Sequence, residues 1–188
     1  MKTKTFAILF GFALAAAGLV QPARAAEKYT LDEIHSSIHL KVQHKGAGYV
    51  FGRFDDFSGS IDLDRQAPEN SSIQVTVQAA SVNTGFDKRD QHLRSPDFLN
   101  AKQFPTIDFR STAVERTGEN SAEVTGELTL LGRTATVTAQ ATHTGSQGDL
   151  VGFEARFTLK RSDWGMKFMV GPLGDEVELL ILVEGKKD

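Results

Sequence analysis

The sequence predicts an all-β protein, an eight-stranded antiparallel barrel with one or two short helices in a long loop. Three observations carry that expectation. Apolar residues alternate with polar ones in run after run, turn chemistry separates the runs at short intervals, and two connections break the rhythm. The alternation is clearest in two runs near the C-terminus. Val151, Phe153, Ala155, Phe157 and Leu159 share a parity in one, and Val177, Leu179, Ile181 and Val183 in the other. Successive side chains on a strand point to opposite faces, so each run is a ribbon with one apolar and one wet side.

Taken from the N-terminus, residues 1–25 read as a secretory signal peptide. Lys2 and Lys4 precede an apolar run from Phe6 to Val20, and Ala23-Arg24-Ala25 offers a small-x-small cleavage site. Cleavage after Ala25 or Ala26 leaves residues 26–188 as one exported domain, long enough to bury a core. The chain has no cysteine, so lipoprotein attachment, disulfides and thiol chemistry are closed to it. Without Lys2, Lys4 and Arg24 it carries 18 basic against 24 acidic residues, a net charge of −6 that argues against nucleic acid.

The strands follow in order. Ile38, Leu40 and Val42 alternate with His39, Lys41 and Gln43 before the turn Lys45-Gly46-Ala47-Gly48. Val50, Gly52 and Phe54 then share one parity, and Phe57, Gly59, Ile61 and Leu63 the other. That phase change across Asp55-Asp56 predicts a β-bulge or bend. Ile73, Val75, Val77 and Ala79 make a third strand, and Ile107 and Phe109 begin a fourth. Val124 to Leu130 and Ala135 to Ala141 supply the fifth and sixth, and the two C-terminal ribbons complete eight. Thr117-Gly118-Glu119-Asn120, Leu131-Gly132-Arg133-Thr134 and Gly145-Ser146-Gln147-Gly148 are the turns.

A meander of eight strands closes readily into a barrel, which side chains can fill or which can hold one small ligand. Gly52, Gly59, Ala79, Gly126, Ala135, Ala139, Ala141 and Ala155 fall at inward positions, so a hollow barrel is expected. Its tunnel would be on the order of 25 Å long, suited to a linear apolar chain. The same small residues would also serve tight packing in a solid barrel, and that reading stays open. The long connections run from Val82 to Pro105, with short helices expected over residues 89–94 and 96–102, and from Ser162 to Gly174. In an up-and-down meander both fall at the same end, where they are expected to form a lid.

Inward parity selects Ile38, Leu40, Val42, His44, Phe54, Phe57, Val75, Val77, Phe109, Leu128, Phe153, Phe157, Leu179 and Ile181 as candidate ligand-binding residues of the wall. Phe86, Leu93, Phe98, Trp164 and Phe168 are the candidates in the lid. His44 could hydrogen-bond a polar head or be satisfied by backbone at the rim. Arg89, Asp90, Arg161 and Asp163 sit in the two long loops, where Arg–carboxylate pairs are expected to staple the lid. His35 and His39 lack a carboxylate at ligand spacing, so no metal site is predicted. Gly-x-Ser-x-Gly, His-Glu-x-x-His, a cysteine nucleophile and a phosphate loop are all missing. No catalytic residue and no required cofactor are predicted, and the chain reads as a binding protein, not an enzyme.

Several short motifs, in this order and spacing, carry a resemblance. They are Asp32-x-x-His35-Ser36, His44-x-Gly46, Gly52-Arg53-Phe54, Ser81-Val82-Asn83-Thr84-Gly85, Arg89-Asp90-x-His92-Leu93, Gly126-x-Leu128-Thr129-x-x-Gly132 and Arg161-Ser162-Asp163-Trp164-Gly165. With them the chain resembles the YceI-like polyisoprenoid-binding proteins over nearly all of residues 26–188. The resemblance implies a lipocalin-like barrel in the bacterial periplasm that holds a quinone tail, a polyprenyl chain or a similar long amphiphile. Dimers are common in that family, which is also associated with stress responses and membrane cytochromes. A homodimer and a membrane cytochrome or lipid-processing enzyme are therefore expected candidate partners. The alternative is a stress-response barrel with a structural or partner-binding role and no lipid.

Overall fold

Each predicted ribbon finds a neighbour of opposite direction. The structure is a computed structural model that describes residues 26–188, so the predicted signal peptide lies outside the described residues. The strands are β1 (Glu27–Leu31), β2 (Ser37–His44), β3 (Gly48–Phe54), β4 (Phe57–Leu63), β5 (Ser72–Gln78) and β6 (Val82–Asn83). They continue with β7 (Thr106–Arg116), β8 (Ser121–Leu130), β9 (Arg133–Gln147), β10 (Leu150–Lys160) and β11 (Leu173–Lys187), and helix α1 (Asp87–Leu93) lies between β6 and β7.

Three of the eight barrel staves are broken. β1 and β2 both lie along β11, opposite Gly185–Lys187 and Leu173–Leu182, and so form one stave interrupted at residues 32–36. β3 pairs with β2 and β4 with β1, making a second stave interrupted at Asp55-Asp56. β5 lies on β4 and β6 on β3, making the third. With β7 to β11 these give a closed antiparallel eight-stave meander, sealed where β11 meets β1 and β2. The phase change at Asp55-Asp56 is real: Phe54 and Phe57 are both buried, on either side of the break.

Sequence pattern missed three strand pieces, the two-residue β6 at the start of the first long connection among them. β1 is a five-residue run directly after the predicted cleavage site, too short to register, although Tyr29 and Leu31 are buried. β7 continues past Phe109 because its register shifts between Ser111 and Ala113, which turns Val114 into the core. The second predicted helix does not form. Residues 96–102 are a series of turns, because Pro96 supplies no backbone donor and Asn100 adopts a left-handed φ of 44°.

The end of the barrel away from the long loops is packed solid. Tyr29, Leu31, Phe57, Ile61 and Val151 are buried there in one hydrophobic cluster. The small inward residues mark close packing and not open space. A Cβ on Gly126 would lie 2.5 Å from both the Arg110 carbonyl oxygen and Cζ of Phe109, and one on Gly59 would lie 2.5 Å from the Gln74 oxygen. Each glycine marks a close approach of backbone or ring. None of the eight predicted small positions borders the open space described next.

Candidate functional site: a lidded apolar cavity

The half of the barrel beneath the long loops encloses a cavity of about 440 Å³. This lies within the usual span of small-ligand sites, about 300–1,000 Å³. Alternation builds its wall. Ile38, Leu40, Val42 and His44 of β2 face it, as do Val75 and Val77 of β5, Phe109 of β7, Leu128 of β8, Phe157 of β10, and Leu179 and Ile181 of β11. Phe54 completes the predicted wall, and Leu93 and Phe98 cover it from the first long loop.

Five predicted residues lie elsewhere. Phe57 and Phe153 belong to the packing of the solid half. Trp164 is buried in the core, where its Nε1 donates to the Leu128 carbonyl at 3.3 Å. Phe86 and Phe168 are exposed on the outside of the lid. Parity along β3, β8, β10 and β11 would also have selected Val50, Leu130, Leu159 and Val177, which line the cavity. Thr84, His92, Met166 and Met169 line it too, and only the folding of the loops brings them there.

The two long loops meet over this mouth. The His92 ring packs edge-on against Phe98 at 5.0 Å and against Phe168 at 5.4 Å, and Phe98 meets Phe168 at 5.4 Å. Each loop is also tied to its own base. Buried Arg161 donates from Nε to the Gly174 oxygen (2.8 Å) and from Nη1 to the oxygens of Met166 (2.9 Å) and Phe168 (2.8 Å). Its Nη2 donates to the Leu173 oxygen at 3.1 Å. Burial pushes the Arg161 pKa down, and the nearby Asp175 charge opposes that. Asp175 itself accepts from the Ser162 backbone N–H and hydroxyl, which hold its carboxyl below the usual range.

In the first loop, buried Asp90 accepts from the backbone N–H (3.0 Å) and hydroxyl (2.5 Å) of Thr84. Arg89 donates to the Thr84 hydroxyl and carbonyl oxygens, at 2.6 and 2.9 Å. The expected Arg–carboxylate staple between the loops is therefore replaced by separate internal ties. Arg161 spends its donors on backbone carbonyls of its own loop and of the start of β11, Asp90 takes Thr84, and Asp163 stays exposed. An aromatic contact, not an ion pair, joins the loops.

Polar groups enter the cavity only at this end. His44, Thr84, Arg89, His92 and Arg161 border it, and no carboxylate does. At the break between β1 and β2, outside the cavity lining, His35 Nδ1 lies 3.0 Å from Asp32 Oδ2 and 3.6 Å from Glu184 Oε1. These ligating atoms lie within 4.8 Å of one another, a grouping that sequence spacing hid because Glu184 comes from β11. Asp32 also accepts from the N–H groups of Ile34 and His35, and the Ser36 side chain and Glu184 backbone bond each other. The Asp32-x-x-His35-Ser36 motif thus closes the break between β1 and β2.

The sequence pattern of the YceI-like domain matches residues 29–185. The chain belongs to the YceI-like domain family. A UPF0312 protein of Pseudomonas aeruginosa (strain LESB58) is 43% identical to it over 192 residues, covering 98% of each chain. Among solved structures, Burkholderia cenocepacia BcnA superposes with a TM-score of 0.77 at 26% identity, covering 82% of this chain and 98% of that one. A polyisoprenoid-binding domain from Saccharophagus degradans, implicated in plant cell wall breakdown, superposes with a TM-score of 0.71. It covers 88% of this chain and 100% of its own, and its 16% identity speaks for the fold alone. The YceI-like barrel, its eight closed staves and its short helix are therefore common ground between sequence and structure.

Proposed function

We propose that this YceI-like protein is a periplasmic carrier that holds the chain of an isoprenoid, of quinone or polyprenyl type, or a similar long amphiphile. The observation that carries the reading is the distribution of chemistry around the cavity. Its wall is aliphatic and aromatic, and its polar groups stand only at the lidded mouth. An apolar tail would bury itself against Leu40, Val75, Phe109 and Leu179, gaining about 25 cal/mol per Å² of apolar surface removed from water. Ordering a flexible tail offsets part of that gain. A neutral or anionic head would stay beside Arg89 and His44, since no carboxylate lines the cavity and Asp97 is taken up by His92 at 2.9 Å. The name of the Saccharophagus relative supports the tail's chemistry, and the signal-like N-terminus supports the location.

The test is mass spectrometry of lipid extracted from protein expressed in a bacterium with its own leader, with the periplasmic fraction assayed separately. The expected result is a co-purified isoprenoid, together with uptake of a quinone by delipidated protein. Protein that carries no lipid and takes up no quinone would overturn the reading.

A further inference from the structure

We infer that the lidded end of the barrel docks on an anionic lipid bilayer, an inference that rests on the lipid-carrier reading for its purpose. Charge divides between the two ends of the barrel. The loops over the mouth (45–47, 84–105, 131–132 and 161–172) hold seven basic residues and four acids, and with Arg161 and Asp90 buried the exposed balance is six to three. The loops of the other end (64–71, 117–120 and 148–149) hold four acids and one arginine, Arg65, and the strand ends beside them add Lys28, Lys186 and Lys187 against Glu27 and Asp188. A chain that is acidic overall therefore presents its one cationic end where the cavity opens. Such an asymmetry turns that end toward an anionic surface and turns the other away.

The same end exposes apolar side chains. Phe86 is 57% exposed, and the consecutive Phe168, Met169 and Val170 are 39%, 43% and 44% exposed. The latter three sit on a tight turn closed by hydrogen bonds from Val170 N–H to the Lys167 oxygen and from Leu173 N–H to the Met169 oxygen. Lysines flank this turn. Lys167 begins it, and the Lys45 N–H donates to the Pro172 oxygen at 2.7 Å, which sets the 45–47 turn alongside. Lys88 stands two residues from Phe86 on α1. Apolar tips ringed by lysine suit the boundary between headgroups and acyl chains, where neither signal suffices alone. Met169 belongs to the tip and also lines the cavity, so the docking surface is continuous with the route a lipid would follow.

The experiment is sedimentation of the purified protein with vesicles of phosphatidylcholine containing 30% phosphatidylglycerol, against phosphatidylcholine alone. Binding is expected only to the anionic vesicles and is expected to fall steeply at about 0.5 M salt. Lys88→Glu with Lys167→Glu, both exposed and free of packing duties, should weaken it more than twenty-fold, from about five-fold for each lysine lost. Met169→Ser should weaken it further, and Ile34→Ser at the break between β1 and β2 should leave it unchanged.

Wild-type protein that ignores anionic vesicles overturns the inference, as does a lysine variant that binds them equally well. A lysine variant that changes oligomeric state but not vesicle binding also overturns it, and marks a protein interface instead. Uptake of detergent-dispersed quinone, measured in parallel, separates this result from the carrier reading. Uptake without vesicle binding removes the docking surface alone, whereas rim-dependent vesicle binding without uptake removes the carrier reading alone.

Discussion

The two halves of this barrel are built from the same alternating strands, yet one is solid and the other is open. In the solid half, Tyr29, Phe57 and Phe153 arrive from β1, β4 and β10, and Gly59 and Gly185 let neighbouring side chains settle against backbone. Large rings from separated staves reach the axis and fill it. In the open half valines (Val42, Val50, Val75, Val77, Val177) are mixed with leucines and with Phe54, Phe109 and Phe157, and these side chains leave the space beneath the lid open. The lid could collapse into this space, but Arg161 and Asp90 fix each loop to its own base. Hollowness here goes with a braced lid, and the predicted glycine and alanine positions mark close packing, not open space.

Truncation should separate the halves most sharply. Phe57→Ala removes a ring buried on all sides and should cost about 3–5 kcal/mol in urea unfolding. Phe157→Ala removes a ring that already borders open space, so its cost should be less than half as large. Equal costs would mean that the cavity is filled in solution. Arg161→Leu comes next. It removes the donor to four carbonyl oxygens, of which that of Leu173 keeps the Gly171 N–H, and should cost at least about 2 kcal/mol, with faster hydrogen exchange confined to residues 161–174. Overpacking gives a smaller effect of opposite pattern. Ala139→Phe should destabilise by about 1–3 kcal/mol, because Ala139 is buried away from the cavity. Leu179→Phe, which grows into open space, should cost under about 1.5 kcal/mol while cutting quinone uptake.

Much of this architecture was legible in the sequence, because a period of two survives in every stave and the turns punctuate it. The inward residues of β2, β5 and β11 could be read directly, as could the break at Asp55-Asp56. What resisted reading depended on contacts between distant segments. Trp164 shares its loop with the cavity-lining Met166 and Met169, yet turns into the core because its N–H finds the Leu128 carbonyl. Arg161 and Asp163 looked like staple partners by composition, but the partners of Arg161 are backbone carbonyls, which leave no trace in residue identity. The small inward residues suggested space because sequence gives side-chain volume and not how closely two backbones approach.

The smallest effect tests how the break between β1 and β2 is fastened. His35 sits between Asp32 and Glu184, and its pKa is raised chiefly by the hydrogen bond to Asp32, then by the charges of both carboxylates. Asp32 is lowered, chiefly by the same hydrogen bond. Because His35 is raised in the folded chain, its contribution is fully present below the unfolded value of about 6.5 and is lost as pH climbs through the folded one. Because Asp32 is lowered, its contribution is present above about 3.9 and is lost as pH falls through its folded pKa. The clasp is therefore strongest in the mildly acidic range between them, and its exposure makes it weak and sensitive to salt. NMR titration should place the His35 midpoint above that of an unstructured histidine, and Asp32→Asn should lower it most of the way back, with the Glu184 charge still acting. A midpoint that Asp32→Asn leaves unmoved would show that the Asp32–His35 pair does not form in solution.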